Sequence, residues 1–146
     1  MGKITRRTQL REIVFLILFR ADYYEVPEME GQIREFFLDE EEFTDQEKQE
    51  VGDKVLRICR MLPEIDARLD EISVGWKVKR MNHADLTALR LAYYEMYYDD
   101  TVPIPTAIND AVEFAKNYGT DNSGSFVNGV LAKAAREKEK AEHAGE

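Results

Sequence analysis

Apolar residues recur at helical rather than strand spacing along the whole chain, and no alternating run of useful length interrupts them. In the stretch Arg6 to Tyr24, Leu10, Ile13, Val14, Ile17, Ala21 and Tyr24 fall on one stripe, with Phe15, Leu16, Phe19 and Tyr23 roughly opposite. A helix apolar on two sides must be covered on two sides, so this one is predicted to be the central helix. Val26-Pro27 should end it, because the residue before a proline is pushed out of the helical region. Ile33, Phe36 and Phe37 predict a short second helix closed by the acidic run Asp39 to Glu42. Thr44-Asp45-Gln46-Glu47 has the spacing of a capping box, opening a helix with Val51, Val55, Ile58 and Leu62 inward. Pro63 suits the first turn of a fourth helix, with Ile65, Leu69 and Ile72 inward. Gly75 is expected to end it, and Trp76 falls in the connection.

Asn82 can cap a fifth helix, with Asp85 in its first turn, where an acid is favoured by the helix dipole and should be exposed. Leu86, Leu89, Tyr93 and Met96 form its inner face, extended by Tyr97. After Pro103 and Pro105 a sixth helix places Ile108, Ala111, Val112 and Ala115 inward and ends at Gly119 as a left-handed cap. Thr120 to Gly124 then leads into a last helix with Phe126, Val127, Val130, Leu131 and Ala134 inward. The charged tail 138–146 is expected to fray. The prediction is an all-α fold of about seven helices in one domain over 1–146, with short connections and neighbours roughly antiparallel.

Length and composition narrow the chemistry. At 146 residues and 44% hydrophobic content the chain can build a sizeable core. Its one cysteine, Cys59, excludes an internal disulfide and a cysteine-based metal site, and only His83 and His143 offer imidazoles. No cofactor or metal is expected. The apolar run Ile13 to Phe19 is flanked by charge and far too short for a membrane span, and it lacks a signal peptide's cleavage site, so a reduced, cytoplasmic protein is expected. There is no glycine-rich phosphate loop, nucleophile elbow or HExxH pair, so the chain reads as a non-enzyme. The net charge is −9, yet residues 1–11 carry +4 through Lys3, Arg6, Arg7 and Arg11, leaving −13 on the remainder. A short basic end of this kind can contact phosphates locally even in an acidic protein.

Two polar features stand out. Arg90 lies within the inner stripe of its helix, between Leu86 and Tyr93/Tyr97, and must pair, reach an edge or meet an anionic ligand. The stretch Tyr118 to Phe126 joins a helix end to the amide-rich start of the next. That start attracts anions, and Tyr118 or Phe126 could stack on a base; the same residues also suit a plain capped loop.

The run Ala107-Ile-Asn-Asp-Ala-Val-Glu-Phe-Ala-Lys116, then Tyr118-Gly119, Ser123 and Phe126-Val-Asn-Gly-Val-Leu131, resembles the signature of the NusB family of bacterial transcription antitermination factors. Leu89-Arg-Leu-Ala-Tyr-Tyr-Glu95 is similar to another of that family's segments, and Arg11-Glu12 fits its N-terminal pattern. The resemblance implies two three-helix bundles sharing the N-terminal helix region. It implies binding to boxA-type single-stranded RNA as a heterodimer with Nus factor E, a small-subunit ribosomal protein, in the transcription elongation complex. By position, the RNA surface would be Lys3, Arg6, Arg7, Arg11, Arg90, Asn122 and Phe126, and the ribosomal-protein surface Phe19, Asp22 and Asp85. Thr8, Gln9 and Leu10 dilute the family's arginine-rich start, and Asn122 replaces a residue often acidic in relatives. The acid-rich segment Asp39 to Asp45 has no role in the family pattern. The rival readings are a purely protein-interacting helical domain and an accessory domain of an RNA cytosine methyltransferase.

Overall fold

The computed structural model describes residues 5–144. Among them the chain is all-helical: α1 Arg6–Leu18, α2 Val26–Phe36, α3 Asp45–Ile72, a 3-10 turn Val78–Arg80, α4 His83–Tyr98, α5 Ile104–Tyr118 and α6 Ser123–Ala144. The backbone gathers into two compact units, Met1–Met61 and Leu62–Glu146, and α3 passes from one to the other.

In the first unit α1 is shorter than expected. Its last turn tightens through hydrogen bonds from Arg20 to Ile17 and from Ala21 to Leu18, leaving Tyr23 and Tyr24 exposed in a turn. Val14, Phe15, Ile17 and Leu18 are buried, so both sides of this helix are covered as its pattern implies. Pro27 opens α2 rather than closing α1. A proline costs nothing in a first turn, where its missing N–H would have no partner, and Glu25 and Glu28 cap each other reciprocally. Six α-helices stand where about seven were expected, because α3 runs unbroken through Pro63. Val51, Val55, Ile58, Ile65, Leu69 and Ile72 are all buried, and their spacing stays in phase across the proline. That shared stripe outweighs the loss of one backbone hydrogen bond, while Pro63 itself faces solvent.

In the second unit α4, α5 and α6 pack on one another. Every residue from Ala84 to Met96 is buried, so the helix covered all round is α4, where α1 was expected to fill that place. Ala107, Ala111, Phe114 and Ala115 point inward from α5, and Val127, Val130, Leu131 and Ala134 from α6. Phe114 takes core space expected for Ile108 and Val112, which are half-buried. The Tyr97 hydroxyl donates to the Ala134 carbonyl at 2.9 Å, tying α4 to α6. The charged tail expected to fray is helical as far as Ala144, supported by a Lys138–Glu142 pair one turn apart. Gly119 does close α5, but not in the left-handed conformation: its φ is −108° and its ψ −145°. Close approach is what demands glycine, since a Cβ there would lie 2.3 Å from Ser123 Oγ and 2.7 Å from the Ala115 carbonyl.

Pro63→Ala should stabilise the chain by roughly 2–3 kcal/mol, restoring a hydrogen bond in a helix whose packing already continues through the site. Urea denaturation would measure it; an unchanged or lower midpoint would show that the helix has adapted fully to its proline.

Candidate functional site

Four of the residues expected on an RNA surface lie at the start of the chain. Lys3 lies outside the described residues. Arg6 is engaged within the fold: its Nε and Nη2 donate to the two carboxylate oxygens of Glu47 at 2.8 Å each, and Nη2 donates to the Glu42 carbonyl at 3.0 Å. Its guanidinium also lies over the Phe43 ring, 4.6 Å from the centroid. Glu47 in turn completes the expected capping box of α3. It accepts from the Thr44 amide at 2.9 Å while its own amide donates to Thr44 Oγ1 at 3.0 Å. Arg11 is buried, whereas Arg7 is exposed and makes no ion pair among the described residues. The acid-rich connection is held down by backbone acceptors, with Lys48 donating to the Glu40 carbonyl at 2.6 Å.

The Arg6 hydrogen bonds, with the Thr44 amide next in weight, hold the Glu47 carboxyl at about 2, below its ordinary 4.5. A carboxyl depressed on folding stabilises the fold above its unfolded pKa, and the contribution is lost as pH falls through the folded one.

In the second unit Arg90 is a buried structural arginine. Its side chain is 5% exposed, and Nε and Nη2 donate to the two oxygens of Asp66 at 2.8 and 2.7 Å. The paired alternative is therefore the one the geometry satisfies, and no exposed guanidinium is left to meet a phosphate. Asp85 is buried at 5% exposure, against the expectation of an exposed first-turn acid. Asn82 caps α4 by accepting from the Asp85 amide at 2.8 Å, and its side-chain amide donates back to Asp85 Oδ2 at 2.9 Å. Asp85 Oδ1 has no hydrogen-bond partner among the described residues. Phe19 is half-buried, edge-on to Phe15, and Asp22 is exposed.

At the start of α6 the residues behave as an open corner. Asn122 is exposed, its carbonyl accepts the Phe126 amide at 3.1 Å, and Ser123 Oγ accepts the Thr120 amide at 2.9 Å. Phe126, expected inward, is half-buried and meets Trp76 edge-to-face at 6.2 Å. Trp76 is itself 55% exposed and is followed by exposed Lys77, Lys79 and Arg80. Helical periodicity passes over these four because they fall between helices. Their one signal was three cations with no acid from Ser73 to Ala84.

Among the described residues no group of three or more His, Cys, Asp or Glu side chains is placed to hold a metal, and no helix is long and apolar enough to cross a membrane. Among the described residues the fold is thus all-helical, with Trp76, Lys77, Lys79 and Arg80 exposed between α3 and α4. Residues 8–136 match the model of the NusB family. The transcription antitermination protein NusB of Agathobacter rectalis is 46% identical over 130 residues, covering 88% of this chain and 98% of that one. Among solved structures, NusB of T. maritima is 33% identical with a TM-score of 0.76, covering 96% of this chain and 99% of that one. A structure of the antitermination factors NusB and NusE in complex with double-stranded RNA shares the fold at a TM-score of 0.74 and 24% identity, covering 86% and 92%. The chain belongs to the NusB family.

Two variants test the engaged arginines. Arg6→Ala should flatten the acid-induced loss of stability between about pH 4.5 and 2, because Glu47 then titrates nearer its ordinary range; denaturation midpoints at pH 6 and 3 would measure it, and parallel losses in both chains would refute it. Arg90→Met should destabilise by about 3 kcal/mol, the low end for breaking a buried pair, since Asp66 keeps partial access to water. A melting temperature matching the parent would contradict a structural role.

Proposed function

We propose that this chain is a transcription antitermination factor that binds boxA-type single-stranded nascent RNA as a heterodimer with Nus factor E. In this reading it works within the cytoplasmic transcription elongation complex as a binding module, without catalysis. The carrying observation is that the run most like the family signature, Ala107 to Leu131, places an exposed Asn122 and a half-buried Phe126 at the start of α6. An amide-rich helix start beside a ring suits a phosphate and an unstacked base together. The antitermination proteins among the relatives and the solved NusB–NusE–RNA complex support the same reading.

Within it the arginines divide. Arg7, with Lys3, contacts phosphate, and Asn122 and Phe126 contact the nucleotide. Arg6 and Arg90 act as positioning residues through Glu47 and Asp66. Arg11, buried in α1, belongs with the positioning residues. On the partner surface Asp22 is the accessible acid for a basic ribosomal protein, with Phe19 beside it in sequence. Asp85 serves first the cap of its own helix.

Filter binding with a boxA-type RNA, with and without Nus factor E, tests the whole. Arg7→Ala should reduce the salt slope of RNA binding by roughly 0.7, one phosphate contact on a single strand, while Arg6→Ala leaves it unchanged. Asp22→Lys should weaken the ribosomal partner by about 1 kcal/mol, as for an exposed charge, with RNA binding by the isolated chain retained. Absence of RNA binding in both conditions would overturn the reading.

A further inference from the structure

We propose that the connection from α3 to α4, Ser73 to Arg80, is a second single-stranded RNA contact in which Trp76 stacks on a base and Lys77, Lys79 and Arg80 hold the flanking phosphates. This rests on the RNA-binding reading above and extends its surface to residues outside the family-like run at α6.

The segment is held in place although it is exposed. Gly75 adopts a left-handed φ of 89°, which turns the chain sharply after α3. The Trp76 amide donates to the Ser73 carbonyl at 3.1 Å, and the Val78 amide donates to Asp70 Oδ1 at 2.7 Å. The 3-10 turn is then closed by Arg80 donating to the Lys77 carbonyl at 2.9 Å. A pinned backbone of this kind has little left to order when a ligand arrives, so only the side chains lose freedom on binding.

What is displayed selects a polyanion with flat apolar faces. Lys77, Lys79 and Arg80 are exposed and make no ion pair among the described residues, whereas Arg6, Arg68 and Arg90 are each engaged with a carboxylate. No acid occurs between Ser73 and Ala84, in a chain whose net charge is −9. Trp76 rests its ring against Phe126 at an interplanar angle of 72°, so the pair presents differently oriented ring surfaces rather than one closed stack. Trp76 stays exposed as a residue despite this contact. Base stacking on such a ring is tolerant of sequence, and cations tracking the backbone supply the remaining attraction. An acidic protein would satisfy the cations but not use the ring face in the same way, and it is left to the test.

Trp76 is the only tryptophan, so the proposed contact carries its own reporter. The full chain is titrated with a short fluorescein-labelled boxA-type RNA, alone and with Nus factor E, following RNA anisotropy and indole emission together. The Trp76→Phe chain serves as the fluorescence blank. Indole emission should fall with the same midpoint as the anisotropy rises. Trp76→Ala should weaken RNA roughly 5- to 150-fold while Trp76→Phe stays near the parent. Replacing Lys77, Lys79 and Arg80 together with Gln should reduce the salt slope by up to about 2. If RNA binds while the indole is silent, and both Trp76→Ala and the Gln variant bind as the parent does, this proposal falls and the RNA reading stands. If no RNA binds under either condition, both fall. Emission that responds to Nus factor E alone and not to RNA would make the segment a protein contact and overturn the proposal.

Discussion

The pair between Arg90 and Asp66 is the constraint on which the second unit turns. A guanidinium cannot be taken out of water unless its fork meets a carboxylate, and the two parallel hydrogen bonds at 2.8 and 2.7 Å supply that match. The bond ties the last part of α3 to the middle of α4. It permits α4 to be buried from Ala84 to Met96 although that stretch carries Asp85, Thr87, Arg90 and Glu95. Asp85 takes the Asn82 amide on one oxygen, Thr87 donates to the His83 carbonyl, and Arg90 has its fork on Asp66. Such pairs add little net stability but are costly to break, so they select one register for the helix rather than deepen its well.

Glu47 has the same standing in the first unit. One carboxylate caps α3 through Thr44 and receives both arms of Arg6, so the helix start and the basic end of the chain share an anchor. Together these two acids sort the arginines into those that build the fold and those left on its surface. Surface function can be asked only of the second group. A count of basic residues along the chain would have joined the two.

Local chemistry was legible where its partners lie within a turn. The capping box of Thr44 and Glu47 and the Asn82 cap both stand as their spacing implied. The heptad-like stripe from Val51 to Ile72 was visible too, but Pro63 suggested a break that the continuous packing overrides. The pair of Arg90 with Asp66 could not be read, because its members stand 24 residues apart and nothing local marks the acid. For Arg90 the helical wheel, which demanded a partner, pointed to the observed geometry better than family position did. Asp85 misled in the opposite way. First-turn acids are favoured whether or not they are exposed, and the all-round burial of α4 depends on contacts that one helix's pattern does not contain.

A net charge of −9 is therefore a poor guide to what the surface can hold. At physiological ionic strength exposed charges act over about 8 Å, so a polyanion meets the charges near its contact and little of the sum. Three cations within four residues, without an acid from Ser73 to Ala84, make a locally positive surface whatever the rest carries. The excess of acid elsewhere then works against unspecific adhesion of the whole molecule to nucleic acid. On the RNA-binding reading proposed above, rings and fixed amides would have to add to the local cations, because the chain's overall field repels a polyanion. The exposed Trp76, its edge-to-face contact with Phe126 and the helix start at Asn122 all lie within the second unit.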